Sequence, residues 1–253
     1  MKGLRAAAVN GFFGLILIFI FTASSSIIVG ESKKEEKIFS GLCFQDLSPK
    51  DREGRWYFKI THKNKPNETL DVIGLIEYVR EIDGEEYYFY GVPLENKGNL
   101  IRFEEDRGYI KRLKYPVFSF IFLDVELAPP VNYVRFPMTP GDEWRVESEG
   151  LIRILGLFNI RMKTNIRFEV ETVENTILDG RIVRTYKVKN YTERGSDGKI
   201  FEEENWFGAG VGLMYQNTEA YTLELVRYEP GPDNRERFLE LTFPAQQAGG
   251  GVN

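Results

Sequence analysis

From Ile160 to Phe168 the chain alternates without a break. Ile160, Met162, Thr164, Ile166 and Phe168 take one side of an extended backbone, and Arg161, Lys163, Asn165 and Arg167 take the other. Successive strand side chains point to opposite faces, so this pattern suits a half-buried strand with a basic outer face and does not suit a helix. Other stretches rich in strand-forming residues are Trp56–Thr61, Leu70–Val79, Tyr87–Tyr90, Leu100–Glu104, Tyr109–Tyr115, Trp144–Glu149, Ile182–Val188 and Tyr221–Tyr228. Asn64–Asn67, Asn96–Asn99, Arg107-Gly108 and Gly195–Gly198 read as turns. Asp83-Gly84 and Asp179-Gly180 read as two-residue hairpin turns. Apolar residues at helical spacing do not persist beyond the N-terminal segment, so the fold class is all-β with antiparallel strands.

The stretch Glu204–Tyr215 reads as strand, aromatic pair, glycine turn and strand. Gly208, Gly210 and Gly212 are the structural turn, and Trp206 and Phe207 anchor its flank. A phosphate-cradling loop would need a different glycine spacing and a following helix, and neither is present.

Two similar halves are expected. Trp56 corresponds to Trp144, Ile76-Glu77-Tyr78-Val79 to Phe168-Glu169-Val170-Glu171, Asp83-Gly84 to Asp179-Gly180, and Ile101–Glu105 to Lys199–Glu203. The expected organisation is a leader or anchor over 1–30, a linker and irregular segment over 31–49, and a first β repeat over 50–134. A second β repeat follows over 135–229, and a partly disordered tail over 230–253. Phe238–Phe243 reads as a last short strand. The two halves would form a sandwich or two open half-barrels packed together. Val117–Leu127, bounded by prolines, would be a buried strand or a segment covering the sheets.

The first thirty residues read as a targeting segment. Lys2 and Arg5 precede the apolar run Gly11–Ala23, and small residues follow at Ser24-Ser25-Ser26. The uncharged stretch Gly11–Val29 also approaches the ~20 residues a membrane helix needs, so a cleaved signal peptide and an uncleaved inner-membrane anchor both stand. Either way the rest of the chain is exported, to the periplasm or cell envelope. Cys43 is the only cysteine, so no internal disulfide forms. The bulky Leu42 before it and the charged run Glu31–Lys37 argue against lipid attachment there. The net charge of -5 without a basic cluster argues against nucleic acid as a partner.

Three stretches in the second half carry a resemblance: Phe136–Trp144, Gly180–Val188 and Trp206–Leu213. They resemble an uncharacterised family of exported, β-rich bacterial envelope proteins whose fold is similar to open-barrel lipoprotein carriers. Membership would imply a signal-bearing envelope protein. It carries no catalytic residue across, because these motifs are structural turns.

Catalytic chemistry finds little support. His62 is the only histidine, which removes multi-histidine metal sites, and it lies beside Lys63 and Lys65 near a turn. No metal and no cofactor is expected. The acidic clusters Glu104–Asp106 and Glu202–Glu204 split between two strand faces. Glu202 and Glu204, on the Trp206 face, form the one carboxylate pair that could serve hydrolysis of an envelope polymer, and a solvated strand face is the simpler reading. Aromatic residues make up 14% of the chain. A groove lined by Phe89, Phe118, Phe120 and Trp206 is therefore the expected site, holding a lipid-like molecule or a protein partner from the envelope. A membrane-anchored structural or interaction protein is the alternative.

Overall fold

The computed structural model describes residues 42–93, 97–118, 121–154, 158–194 and 198–245, so the expected targeting segment over 1–30 lies outside the described residues. A one-turn helix α1 (Phe44–Leu47) precedes twelve strands: β1 (Arg55–His62), β2 (Thr69–Ile82), β3 (Glu85–Val92), β4 (Lys97–Phe103), β5 (Arg107–Phe118), β6 (Ile121–Arg135), β7 (Glu143–Ile154), β8 (Phe158–Leu178), β9 (Arg181–Arg194), β10 (Ile200–Gly208), β11 (Gly212–Asn217) and β12 (Tyr221–Glu229). Helix α2 (Arg235–Leu241) and β13 (Thr242–Pro244) follow. The segment expected as a strand over Phe238–Phe243 is thus helical through Leu241, where Phe238 and Leu241 are the buried pair at i and i+3.

Each of the twelve strands pairs antiparallel with the next, and β12 returns to β1, with Arg55 opposite Glu229 and His62 opposite Tyr221. The result is a closed up-and-down barrel, with β13 added to β9 as a thirteenth strand. This corrects the sandwich and open half-barrel expectation. The segments 50–134 and 135–229 supply six strands each, and β6–β7 and β12–β1 join them along both edges. Closure removes the unpaired edges that two open sheets would leave. Of the two expectations for Val117–Leu127, strand or cover, its described residues are strand. It contributes the end of β5 and the start of β6, with Val125 and Leu127 buried on the inner face.

Both Asp-Gly pairs turn hairpins with both residues at positive φ: Asp83 at 55° and Gly84 at 80°, Asp179 at 47° and Gly180 at 72°. Each of these hairpins also has a bulge on its first strand, between Ile76 and Tyr78 and between Val170 and Thr172. One inserted residue reverses which side chains face the lumen. Above the first bulge Ile76 pairs with Tyr90. Below it Tyr78 pairs with Phe89 on the outer side.

The alternation of β8 sorts as its sequence dictates. Met162, Thr164, Ile166 and Phe168 line the lumen. Outside, Arg161 pairs with Glu149 and Arg167 with Glu143 and Glu169. Further outer ion pairs join Arg153 and Lys111 to Glu126, and Arg112 to Asp124. Exposed pairs of this kind each add about 0–1 kcal/mol, so their meaning is placement rather than stability. A lipid-spanning barrel is apolar outside and polar within. This barrel has the reverse arrangement, which suits water outside and something apolar inside. No described helix is long and apolar enough to cross a membrane.

One end of the barrel is plugged. The Gly208–Gly212 turn, α1 and α2 meet there around Leu47, Ala209 and Leu241, all fully buried. Gly210 and Gly212 hold φ of 77° and 93°. The Gly210 amide donates to the Asp46 carbonyl at 2.6 Å. The Trp56 indole N–H donates to the Val211 carbonyl at 2.7 Å, and its ring stacks on Tyr228 with centroids 5.1 Å apart. At Gly208 the reason for glycine is a close approach. A Cβ there would overlap Met214 Sδ and lie 2.8 Å from Val183 Cγ1. Val183 is fully buried and stiff, so Gly208→Ala is expected to cost about 1–3 kcal/mol. Urea denaturation of the variant checks this, and an unchanged midpoint would show that the turn has slack.

Candidate functional site

Every strand of the barrel from β1 to β12 contributes to one internal cavity of about 240 Å³. In barrels of about eight strands side chains fill the interior, so twelve strands leave space unless large residues occupy it. Here Trp56, Phe58 and Tyr90 occupy the plugged end, and Ser48 and Pro49 from the end of α1 close against them. The Tyr90 hydroxyl donates to the Pro49 carbonyl at 2.7 Å. Ile166, Phe168, Val188 and Leu223 form apolar wall above this floor. Burial holds the Tyr90 and Tyr133 hydroxyls in their neutral form by pushing both pKa values up.

One patch of the wall is polar. Phe168, Asn190 and Glu203 stand in register across β8, β9 and β10, and Asn205 follows on the same face of β10. The Asn205 amide donates to Asn190 Oδ1 at 2.7 Å, and the Asn190 amide donates to Glu203 Oε2 at 2.7 Å. Glu203 is 5% exposed. Its Oε1 is buried without a hydrogen-bond partner among the described residues. Burial raises the Glu203 pKa to about 8, against the opposing pull of the Asn190 hydrogen bond. Lys97 also lines the cavity, with its ammonium 4.3 Å from the Tyr221 ring centre. Among the described residues no group of His, Cys, Asp or Glu is arranged to hold a metal ion.

Of the four groove residues expected from the sequence, the two whose side chains are described, Phe89 and Trp206, do not line the cavity. Phe89 is buried on the outer side of β3 with Tyr87 and Leu100, and stacks on Tyr78 at 4.7 Å. Trp206 is also outside the lumen. Its indole N–H donates to Glu204 at 3.2 Å, and its ring lies against that of Tyr215 with centroids 5.2 Å apart. The Phe118 backbone ends β5, and Phe120 lies outside the described residues. Glu202 and Glu204 share an outer ladder with lysines rather than a cleft. Lys187 bridges Glu171 and Glu204 at 2.8 and 2.5 Å, and Lys189 bridges Glu171 and Glu202 at 2.9 and 3.5 Å. His62 sits at the far end of β1, with its ring 5.5 Å from that of Tyr221.

The residue that sequence reasoning passed over is Glu203. Its signal was legible: it lies between Phe201 and Phe207 at period two, a charged residue on an apolar face.

No family model matches the chain, and no curated protein matches it. Two solved structures are similar in part. The hypothetical lipoprotein YmcC from Escherichia coli (K12) is 10% identical with a TM-score of 0.39, over 81% of this chain and 99% of that one. A provisionally assigned lipoprotein from Parabacteroides distasonis ATCC 8503 is 12% identical with a TM-score of 0.36, over 72% and 98% of the two chains. Likenesses this distant assign neither a function nor a compartment.

Proposed function

We propose that this chain is an exported envelope protein that binds an apolar, lipid-like molecule inside its barrel. The observation that carries the reading is the cavity itself, about 240 Å³, apolar over most of its wall and enclosed by a charged exterior. An apolar cavity of roughly 150 Å³ already takes up benzene. This one has room for a short acyl chain or a ring system. Each methylene it removes from water contributes about 0.8 kcal/mol, so a ligand of modest length gains useful affinity without any covalent step. The targeting segment supports export. The outer Glu–Lys ladder around Glu202 and Glu204 gives polymer hydrolysis no cleft to work in.

Native mass spectrometry of the full chain recovered from the envelope of its own cells tests this reading. The expected result is a mature chain carrying lipid-sized added mass. Val188→Phe, which fills the cavity from β9, is expected to lose that mass while keeping its β circular dichroism. Bare chain in both proteins would favour the alternative, a membrane-anchored interaction protein.

A further inference from the structure

The polar patch inside the lumen is costly to the fold and has no evident structural use. A buried carboxyl with one oxygen unpartnered destabilises a protein. The same position could be filled by an apolar side chain like its strand neighbours Phe201 and Phe207. Asn190 donates one N–H to Glu203 Oε2 and accepts from Asn205, which orients the carboxyl group and leaves Oε1 as its oxygen without a partner among the described residues. An unpartnered carboxyl oxygen set in an apolar wall asks for a partner brought by something else, an acceptor for its proton while the group is neutral and a donor once it is ionised.

Resting on the lumen-binding reading, we propose that Glu203 receives the amine end of the bound molecule, so that the ligand is an apolar body ending in a primary amine. The chemistry balances without a co-reactant. A neutral amine entering the lumen takes the proton of the Glu203 carboxyl, and the N–H bond formed replaces the O–H bond broken. The products are an ammonium and a carboxylate in hydrogen-bonding contact. The pair then needs no proton from solvent, and Asn190 holds the carboxylate by its other oxygen. Ligands ending in a carboxylate bring no proton donor of their own and would leave a net negative charge in the apolar wall.

The test uses the full chain loaded with the naphthyl fluorophore N-phenyl-1-naphthylamine, displaced by octylamine, octanol or octanoate. The expected result is displacement by octylamine at concentrations roughly ten-fold or more below those for octanol, with octanoate weakest. In Glu203→Gln, which keeps size and hydrogen bonding, octylamine is expected to fall to the level of octanol, each read against the fluorophore's own affinity for that variant. If all three displace alike in both proteins, the lumen binds apolar molecules and the assignment of Glu203 is wrong. A preference for octanoate, as Lys97 in the same wall would produce, overturns it as well. If the fluorophore does not bind at all, the lumen-binding reading falls with it.

Discussion

Glu203→Gln is expected to make the folded chain more stable above pH 8 and to leave it nearly unchanged at pH 4. The folded protein holds the Glu203 carboxyl protonated up to about pH 8 because burial penalises the charged form. The unfolded chain releases that proton near the ordinary glutamate value of about 4.3. Between the two the folded state binds the extra proton, so stability falls as pH rises, by about 1.4 kcal/mol per unit. Across the window this is on the order of 4–5 kcal/mol, and the group is too buried for solvent screening to reduce it much. The other ionisable side chains of the lining, Lys97, Tyr90 and Tyr133, are common to both proteins. Urea midpoints measured from pH 4 to pH 9 should therefore diverge steadily, with the variant on top. Parallel curves would mean that Glu203 is ionised and hydrated at neutral pH, and the lumen would then be wet.

Asp51→Ala is expected to cost about 3–5 kcal/mol and to loosen the plugged end first. Asp51 is fully buried. Its Oδ2 accepts the Tyr228 hydroxyl at 2.6 Å and the Gly231 amide at 2.7 Å, tying the start of β1 to the end of β12 and the turn beyond it. Asn234 extends the network by donating to the Tyr228 hydroxyl and to the Gly210 carbonyl. Gly54 is part of the same fit, since a Cβ there would lie 2.5 Å from Asp51 Oδ2. Loss of the carboxylate leaves two donors to find new partners in a site with little room. Limited proteolysis should then cut between Tyr228 and Arg235 in the variant under conditions that leave the parent chain whole. Arg237→Ala makes the comparison. It breaks a two-bond pair to Asp46 at 2.7 and 2.8 Å, but the arginine is 37% exposed, so a loss of only about 1–2 kcal/mol is expected. Equal losses in the two variants would show that the plug acts as one unit.

The strands were legible because their chemistry is local. Alternation at Ile160–Phe168 sets the two faces of β8, and Asp-Gly at 83–84 and 179–180 sets two turns through positive φ. Closure was not legible, because a period-two pattern says which face is apolar and says nothing about which edges meet. The pairing of Trp56 with Tyr228 joins residues from opposite ends of the chain. The misplaced groove has a specific cause. Four successive aromatics at Tyr87–Tyr90 mark both faces of β3 without saying which is inside; Tyr90 lines the lumen, so Phe89 one residue away faces out, with Tyr78. Trp206 misled for another reason. It is buried, but against Tyr215 on the outer side of β10 rather than in the lumen. Helix α2 is too short for a helical period to stand out against its surroundings.

A methyl-detected NMR titration of the full chain with N-phenyl-1-naphthylamine would locate the ligand directly. A molecule held in the lumen shifts the methyl groups of Ile166, Val188 and Leu223, which come from three different strands and all line the cavity. Shifts confined to Ile82 and Leu100, on the outer patch beside Phe89, or no shifts at saturating fluorophore, would contradict a ligand-binding barrel.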